Sequence, residues 1–333
     1  EVSTTLAPDG GLDSDDRALG VLPLFHIYGM TVVMNAVLFS GGEYWPLPSW
    51  DVEQALGVIE EAEISIFHGV PAMYNDIITT DPEGSRDLSS VSLSGVGGAG
   101  IPGEVLRQFE TLYDTTVYEG YGLTETSPVT HFNRPSAGRR VGSIGKVLTG
   151  IQARVVDEDF AEVSPIETGP VEDAELDGIT GEIVINGPNV TRGYQDRPKA
   201  NEASFTEADG KRWFHTGDIG YQDEEGFFFV VDREKHVIVT GGYNVYPREV
   251  EELLFEHEAV ADAAVVGIPD ERRGETVKAF VVSNGDVTKD EIRDYCLSNL
   301  AEYKHPREVA FVDELPRTTT GKVQKFELSP NSE

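Results

Sequence analysis

The chain has 333 residues, enough for two domains and a sizeable hydrophobic core. It carries 59 acidic residues against 26 basic ones, a formal net charge of -33. A surface of this sign repels nucleic acid and anionic lipid, so we expect neither among its partners. Because the acids are spread through apparently folded segments, we interpret them as a halophilic adaptation, since high salt screens their mutual repulsion.

A single cysteine, Cys296, excludes an internal disulfide framework and a cysteine-rich zinc site. The apolar run from Ile27 to Phe39 is shorter than the ~20 residues that span a bilayer. The chain opens at Glu1 in a polar stretch, and no signal peptide is recognisable. We therefore expect missing residues upstream, no stable membrane insertion and a cytoplasmic location.

Over roughly the first 135 residues, short apolar runs alternate with amphipathic ones, which is typical of a layered βα sheet. "GVLPLF" is predicted as a strand, and Ile27–Phe39 as a helix so apolar that it must be buried. Further strands are predicted at "ISIF", "VSLSGV" and "TTVYEGYG", with helices at Ala72–Ile78 and Glu104–Tyr113 between them.

The residue pattern changes from about Val141 to Val231, where glycine turns separate short predicted strands such as "GEIVING" and "GFFFVVD". This pattern predicts an antiparallel, barrel-like unit. After Asp232 helices and strands alternate again, with helices near Arg248–Phe255 and Asp290–Leu300. The predicted fold class is α/β with α+β parts: a partial N-terminal domain over 1-231 (layered to about 140, barrel-like over 141-231) and a small α+β domain over 232-333.

Two glycine motifs point to phosphate binding but do not establish it. "GGAGIPG" matches the dinucleotide fingerprint at Gly98, Gly100 and Gly103, yet no acidic strand end follows at the required distance, which disfavours a nicotinamide cofactor. "TTTGKVQ" departs from the P-loop pattern, because Pro316 stands at the first glycine position and Val323 follows the lysine. Alone, each is an ordinary turn.

Polar residues in other motifs could bind a nucleotide. Tyr121 could stack on a purine, Thr124 could contact phosphate and Glu125 could hold Mg²⁺. Asp218 in "WFHTGD" could accept both hydroxyls of a ribose, although an aspartate in a tight turn is the alternative. His26 and His68 are more simply structural histidines, and no second histidine at ligand spacing supports a zinc site.

Eight motifs in order give the chain a recognisable signature: "PLFHIYG", "GGAGIPGE", "YGLTETSP", "GSIGKVLTG", "GEIVINGPNVTRGY", "FHTGDIGYQDEEGF", "DREKHVIVTGGYNVYPREVE" and "PRTTTGKVQK". The series resembles the adenylate-forming acyl-CoA synthetase superfamily, which contains fatty-acid and aryl-CoA ligases. The resemblance runs from about Leu19 to Lys325, essentially the whole chain.

The resemblance implies an ATP- and Mg²⁺-dependent ligase that converts a carboxylic acid, chiefly a fatty acid, to an acyl-adenylate and then to acyl-CoA, with release of pyrophosphate and AMP. It implies that Lys322 stabilises charge at the α-phosphate and that a flexible loop on a mobile C-terminal domain carries this lysine in and out. His26 would lie near the junction of acyl group and phosphate. ATP, the acid and CoA would be its small-molecule partners.

The remaining roles also follow from the resemblance. The residues expected to bind Mg²⁺ and the nucleotide are, respectively, Glu125 and the set Gly98, Ala99, Tyr121, Thr124, Asp218, Val230 and Arg233. The pantetheine path is lined by Gly241, Gly242 and Tyr243, and the hinge is Asp232. The acyl pocket is walled by His68, Gly69, Met73, Gly120, Gly122 and Val129.

One departure from the pattern concerns a Ser/Thr/Gly-rich phosphate loop, expected before "GVLPLFH" and absent here. We expect the chain to be a fragment, with a truncated descendant that uses ATP poorly as the alternative. A non-catalytic nucleotide- or acyl-binding protein, an aryl-CoA ligase and a luciferase-like monooxygenase also stay open. An amino-acid-activating module is disfavoured, because no aspartate stands near His26 to hold a substrate amine.

Overall fold

The fold is that of a computed structural model, which describes residues 11–171, 176, 178–318 and 321–328. The chain divides into two compact units. The first contains the residues up to Thr216 together with Gly220–Val230, and the second contains Gly217–Ile219 together with the residues from Val231 onward.

A sheet of twelve strands organises the first part of the chain, in the order β2-β1-β3-β4-β5-β6-β7-β12-β11-β9-β8, with β10 paired to β11. Its parallel strands are β1 (Arg17–Gly20), β2 (Glu43–Pro46), β3 (Ile66–Gly69), β4 (Leu93–Val96) and β5 (Val117–Gly122). The sheet continues through β6 (Val129–Phe132), β7 (Gly145–Val147), β8 (Gln152–Val156), β9 (Gly181–Asn186), β10 (Phe205–Ala208), β11 (Lys211–Gln222) and β12 (Phe227–Arg233). Antiparallel pairing begins at β5 and β6, so the predicted antiparallel half extends the parallel sheet directly.

Amphipathic helices cover the parallel strands. A π-helix (Tyr28–Asn35) continues as α1 (Ala36–Phe39), followed by α2 (Val52–Ala62), α3 (Pro71–Thr80), α4 (Gly103–Tyr113) and, later, α5 (Pro198–Ser204). In α2 the Asp51 carboxylate caps the first turn by accepting from the Gln54 N–H at 2.9 Å. Its buried face, Ala55, Leu56 and Ile59, joins the main core beneath the sheet.

The second unit has its own sheet and its own core. The strands lie in the order β14-β13-β16-β15, with β17 paired parallel to β16. Their bounds are β13 (Ile238–Thr240), β14 (Tyr243–Val245), β15 (Val260–Asp270), β16 (Gly274–Ser283) and β17 (Glu308–Phe311); the helices are α6 (Pro247–Phe255), α7 (Lys289–Asn299) and α8 (Lys325–Leu328). Helix α7 starts at a capping box, in which Thr288 and Glu291 bond each other's backbone N–H.

Two local predictions were wrong. The strand predicted at "GVLPLF" ends at Gly20, because Pro23 has no N–H to donate and its carbonyl instead accepts from the His26 N–H at 3.1 Å in a turn. The helix predicted to be wholly buried has only one covered face. Phe39 is 90% exposed and Leu38 is 52% exposed, whereas Val32, Val33 and Val37 are buried.

Candidate functional site

The carboxyl ends of β3, β4 and β5 form one edge of the parallel sheet, and glycines occupy it. His68 pairs with Gly95 across β3 and β4, and the Gly97 N–H donates to the Gly69 carbonyl at 3.3 Å. Gly98 follows with φ +84°, a conformation that favours glycine, and Ala99 comes next. Gly98 and Ala99, which are predicted to bind the nucleotide, follow the end of β4 at the edge where open parallel sheets bind ligands.

His68 is joined to a residue that the motifs did not single out. The Tyr28 hydroxyl lies 3.1 Å from His68 Nδ1, and the two rings meet edge to face with centroids 5.8 Å apart. Burial lowers the pKa of His68 to about 4 and raises the pKa of Tyr28 well above its ordinary value. Both side chains are therefore neutral at pH 7, and they place a polar pair beside the strand ends. The two residues are 40 positions apart in the sequence, so no local pattern predicts this contact.

His26 lies in the turn that leads into the π-helix. Its Nδ1 accepts from the Tyr28 N–H at 3.2 Å, which leaves Nε2 to carry the proton of the neutral ring. Partial burial lowers the pKa of His26, so the neutral form predominates at pH 7.

Tyr121 and Val230 pack against the same small group of buried side chains, which includes Phe228. Tyr121 also meets the buried His131 ring edge to face, with centroids 5.8 Å apart. Burial lowers the pKa of His131 to about 3, so this ring stays uncharged behind the tyrosine. Two residues predicted to surround a nucleotide are thus brought to one place.

The segment after β5 turns sharply and carries Thr124 and Glu125. A short 3₁₀ turn spans Thr124–Thr126, and the buried Thr126 hydroxyl donates to the Pro128 carbonyl at 2.6 Å. Thr124 is exposed, while the Glu125 carboxylate accepts from the Tyr194 hydroxyl at 2.8 Å. Tyr194 is a further residue that the motif analysis missed.

The predicted acyl-pocket residues lie on β3, α3, β5 and β6. Gly122 pairs with Val129 across β5 and β6, next to an irregularity in the register. A Cβ on Gly122 would stand 1.9 Å from the Pro128 carbonyl oxygen, so this position requires glycine. A Cβ on Gly120 would likewise stand 3.0 Å from the Phe132 ring. Met73 on α3 is buried.

In the second unit, Asp218 and Arg233 form an ion pair. Arg233 Nε donates to Asp218 Oδ1 at 2.8 Å, and only 5% of the Asp218 side chain is exposed. The pair lies on two neighbouring strands, β11 and β12, although the residues are fifteen apart in the chain. An arginine that holds a buried carboxylate in one orientation is suited to presenting it to hydroxyl groups.

Asp232 is enclosed by donors at the end of β12. Its Oδ1 accepts from the Arg233 N–H at 2.7 Å, and its Oδ2 accepts from the Arg248 N–H at 3.0 Å. Burial alone would raise the pKa of Asp232, but the bond from His236, the charge of Lys325 and these two N–H groups outweigh it and lower the pKa. The residue predicted as the hinge is therefore an ionised anchor for the start of α6.

Lys322 stands in the same unit as the Asp218–Arg233 pair and is close enough for both charges to act on it. The residue is exposed, but neighbouring atoms partly desolvate its ammonium. This desolvation and the positive charges of Arg233, Lys235 and Lys325 lower the pKa of Lys322, against the opposing effect of Asp218. The predicted site residues Asp218, Arg233 and Lys322 thus belong to one unit, and the charges of the first two act on the third.

Thr318 and Lys322, on the two sides of the predicted flexible loop, are hydrogen-bonded to each other. The Thr318 N–H donates to the Lys322 carbonyl at 2.8 Å, and the Lys322 N–H donates to the Thr318 hydroxyl at 3.1 Å. These two bonds join Thr318 to Lys322, and the flexibility of the loop between them stays a prediction. Thr319 and Thr320 lie outside the described residues.

Gly241 and Gly242 form a two-residue turn between β13 and β14. Their φ values are +61° and +88°, as a type I′ hairpin turn requires. Tyr243 follows, 60% exposed, with its ring stacked on Tyr303 at 4.9 Å. A pocket of about 320 Å³ opens here, lined by Thr240, Gly241, Tyr243, Arg272, Arg273 and Tyr303.

Across the residues that the structure describes, no group of three or more histidine, cysteine, aspartate or glutamate side chains could hold a metal ion. Mg²⁺ keeps several water ligands and needs only one or two carboxylates together with substrate phosphates, so Glu125 alone fits that ion. Within the described part of the chain, no helix is both long and apolar enough to cross a membrane.

The chain is similar to known proteins over most of its length. Residues 2–195 match the family described as AMP-binding enzyme, and residues 249–322 match its C-terminal domain. The chain is 41% identical over 315 residues to a long-chain-fatty-acid–CoA ligase of Bacillus subtilis (strain 168), covering 94% of this chain and 54% of the relative. It is 36% identical over 321 residues to a 2-succinylbenzoate–CoA ligase of Bacillus thuringiensis subsp. konkukian (strain 97-27), covering 96% and 62%.

A solved structure of ATP-bound MatB from Rhodopseudomonas palustris matches the fold with a TM-score of 0.85 at 32% identity, covering 95% of this chain and 60% of that one. The chain therefore spans between half and two thirds of the length of these proteins. The α/β architecture predicted from the sequence is confirmed by this likeness. Since the family match extends over more than half of the sequence, the chain belongs to the AMP-binding enzymes, within the superfamily of adenylate-forming acyl-CoA ligases.

Proposed function

We propose that the chain is the adenylate-forming part of an ATP-dependent acid–thiol ligase, which makes acyl-CoA through an acyl-adenylate and releases pyrophosphate and AMP. The observation that carries this proposal is the buried Asp218–Arg233 ion pair, whose charges act on Lys322 of the same unit. The carboxylate would hold the ribose hydroxyls, which places the α-phosphate within reach of a mobile cation. An ammonium there stabilises negative charge as the acid attacks phosphorus.

The other residues predicted to bind the nucleotide and the metal belong to the first unit. Tyr121 offers an aromatic face for adenine, and the glycines near Gly98 let backbone N–H groups approach the phosphates. Thr124 offers an exposed hydroxyl for the α-phosphate. Glu125, oriented by Tyr194, would hold Mg²⁺, which would neutralise phosphate charge.

The second unit would bind CoA in the pocket beside Gly241 and Gly242. The glycine turn leaves the backbone uncovered, since nothing lies within 4 Å of a Cβ built on either residue. Arg272 and Arg273 line the pocket and supply positive charge for an anionic ligand. Tyr243 and Tyr303 supply the aromatic surface.

The acid is proposed to be a fatty acid. The supporting observations are the 41% identity to a long-chain-fatty-acid–CoA ligase and the apolar side chains of Met73 and Val129 among the residues predicted to wall the acyl pocket. An aryl acid is the second candidate, because His68, another of those predicted residues, forms a neutral polar pair with Tyr28. Separate assays with both acid classes would distinguish the two.

The experiment that tests the ligase assignment is Lys322→Ala, with adenylation and thioester formation measured separately. Adenylation should fall severely, since the cation at the α-phosphate is lost, while thioester formation from supplied acyl-adenylate should persist. Lys289→Ala, on an exposed lysine at the start of α7, is the matched control and should change neither step. Equal loss in both steps, or no loss at all, would remove Lys322 from this role.

A further inference from the structure

The hairpin that carries Lys322 is closed by more than its backbone. Arg317 and Val323 face each other in an isolated β-bridge, and the Gly321 N–H donates to the Thr318 carbonyl at 2.9 Å. Gly321 has φ +80°, a conformation that favours glycine. The two neighbours of Lys322, Gly321 and Val323, are therefore paired with Thr318 and Arg317 respectively.

Arg317 ties this turn to the body of the second unit. One guanidinium nitrogen donates to the Gly321 carbonyl at 2.7 Å, and the other donates to the Asp262 carboxylate on β15. The planar guanidinium group of Arg317 thus connects Gly321, the residue before Lys322, with β15. Lysine has one ammonium and no fork, so it could not make both contacts in this geometry.

A second ion pair holds the chain on the other side of Lys322. Lys325 Nζ lies 2.7 Å from Glu251 Oε1, and only 17% and 16% of the two side chains are exposed. The same carboxylate oxygen accepts from the Val265 N–H of β15 at 2.7 Å. The start of α8 is therefore joined to α6 and to β15 at once.

We propose that Arg317, Asp262, Lys325 and Glu251 are positioning residues for Lys322, forming a two-point clamp that fixes the hairpin on the second unit. The proposal rests on the catalytic role assigned to Lys322 above. Ordering a free loop around each turnover would cost conformational entropy at the step where the ammonium must be in place. With the clamp closed, the backbone that carries the lysine moves as one body with the rest of the second unit.

The cationic member of the second pair also sets the charge around Lys322. Lys325 is one of the positive groups that lower the pKa of Lys322. In Lys325→Met the pKa of Lys322 should rise, so the basic limb of an adenylation pH profile should move to higher pH. Lys325→Arg keeps both the pair and the charge, and should leave that limb in place. If Lys325 had a purely structural role, Lys325→Met would lower the adenylation activity but leave the basic limb of its pH profile at the same pH.

The test of the clamp is Arg317→Lys, which keeps the charge but cannot make both bonds. Hydrogen exchange of the peptide from Pro316 to Lys325 should become at least tenfold faster, because the turn opens more often. The adenylation rate constant should fall about 10- to 100-fold, since misplacing a reacting group by ~1 Å has an effect of that size. Thioester formation from supplied acyl-adenylate should stay unchanged.

Arg293→Lys is the matched control, because Arg293 pairs with Asp290 at 3.1 Å on the exposed surface of α7 in the same unit. It should alter neither the exchange of the hairpin nor adenylation. The hydrogen-exchange measurement does not depend on enzymatic activity. An unchanged exchange rate of the hairpin in Arg317→Lys would therefore refute the proposed clamp. Faster exchange in Arg317→Lys together with full adenylation in Lys322→Ala leaves the clamp standing and overturns the catalytic role of Lys322.

Discussion

The buried ion pair between Lys304 and Glu249 gives a prediction whose size follows from the structure. Lys304 Nζ lies 2.7 Å from Glu249 Oε1, and the side chains are only 6% and 7% exposed. Glu249 belongs to α6, and Lys304 directly follows Tyr303 of the proposed CoA pocket. The pair thus joins a helix to the wall of that pocket.

At this separation, with an effective dielectric constant of ~20, the attraction between the two charges is about 6 kcal/mol. The cost of removing both groups from water cancels much of it. Lys304→Met removes one partner and leaves the other carboxylate buried, so we expect it to lower the free energy of unfolding of the second unit by about 3–5 kcal/mol. The double variant Lys304→Met with Glu249→Leu should recover most of that loss, because neither charge is then buried.

Hydrogen exchange of α6 peptides against urea concentration measures this free energy. The three tryptophans, Trp45, Trp50 and Trp213, all lie in the first unit, so their fluorescence serves as an internal reference that the variant should not alter. Lys278→Met is the matched control. Its lysine pairs with Glu308 at 3.3 Å, with 25% and 55% of the side chains exposed, and the loss should stay within about 1 kcal/mol.

A loss below about 1 kcal/mol in Lys304→Met, equal to that of the control, would show that water reaches the pair, and it would refute the reasoning from burial. A double variant as unstable as the single one would show that packing, and not the stranded charge, sets the cost.

Three further predictions concern the site and its supports. Asp218→Ala should weaken ATP binding at least tenfold in equilibrium titration, because charge-assisted bonds to the ribose are worth about 1.5–3 kcal/mol each; an unchanged dissociation constant rejects the ribose assignment. Gly122→Ala should destabilise the first unit by about 1–3 kcal/mol in thermal unfolding, since its Cβ would stand 1.9 Å from the Pro128 carbonyl oxygen, whereas Gly57→Ala, in α2 with nothing within 4 Å, should be neutral or stabilising. The lowered pKa of Asp232 stabilises the fold above the unfolded value of about 3.9, and that contribution is lost as pH falls through the lower folded pKa; Asp232→Asn should therefore flatten the acid limb of urea stability, and identical slopes in both proteins would contradict this.

Much of the fold follows from the regular spacing of apolar residues in the sequence. The predicted strand "VSLSGV" contains β4 and the helix predicted at Glu104–Tyr113 is α4, because their apolar spacing matches one strand and one helix face. The same reasoning failed at Phe39. Apolar composition predicts burial only where a neighbouring element covers the side chain, and spacing within one helix does not report such cover.

The site is predictable only in part, and for a similar reason. The motifs name Asp218, Arg233 and Lys322, which the fold brings into one unit. Other predicted residues have distant supports: Tyr28 contacts His68 and Tyr194 contacts Glu125, from positions 40 and 69 residues away. Both tyrosines stand in the quoted motifs, but tertiary packing chooses their partners, so the sequence alone assigns them no role.

The measurement that tests the ligase proposal most directly is acyl-CoA formation by mass spectrometry, in concentrated KCl with ATP, Mg²⁺, CoA and a graded panel of fatty and aryl acids. We predict an acyl-CoA product from fatty acids, with one AMP released for each thioester and no product in Lys322→Ala. ATP binding without any acyl-adenylate, combined with no thioester from supplied acyl-adenylate, would contradict the proposal and indicate a nucleotide-binding protein without ligase activity.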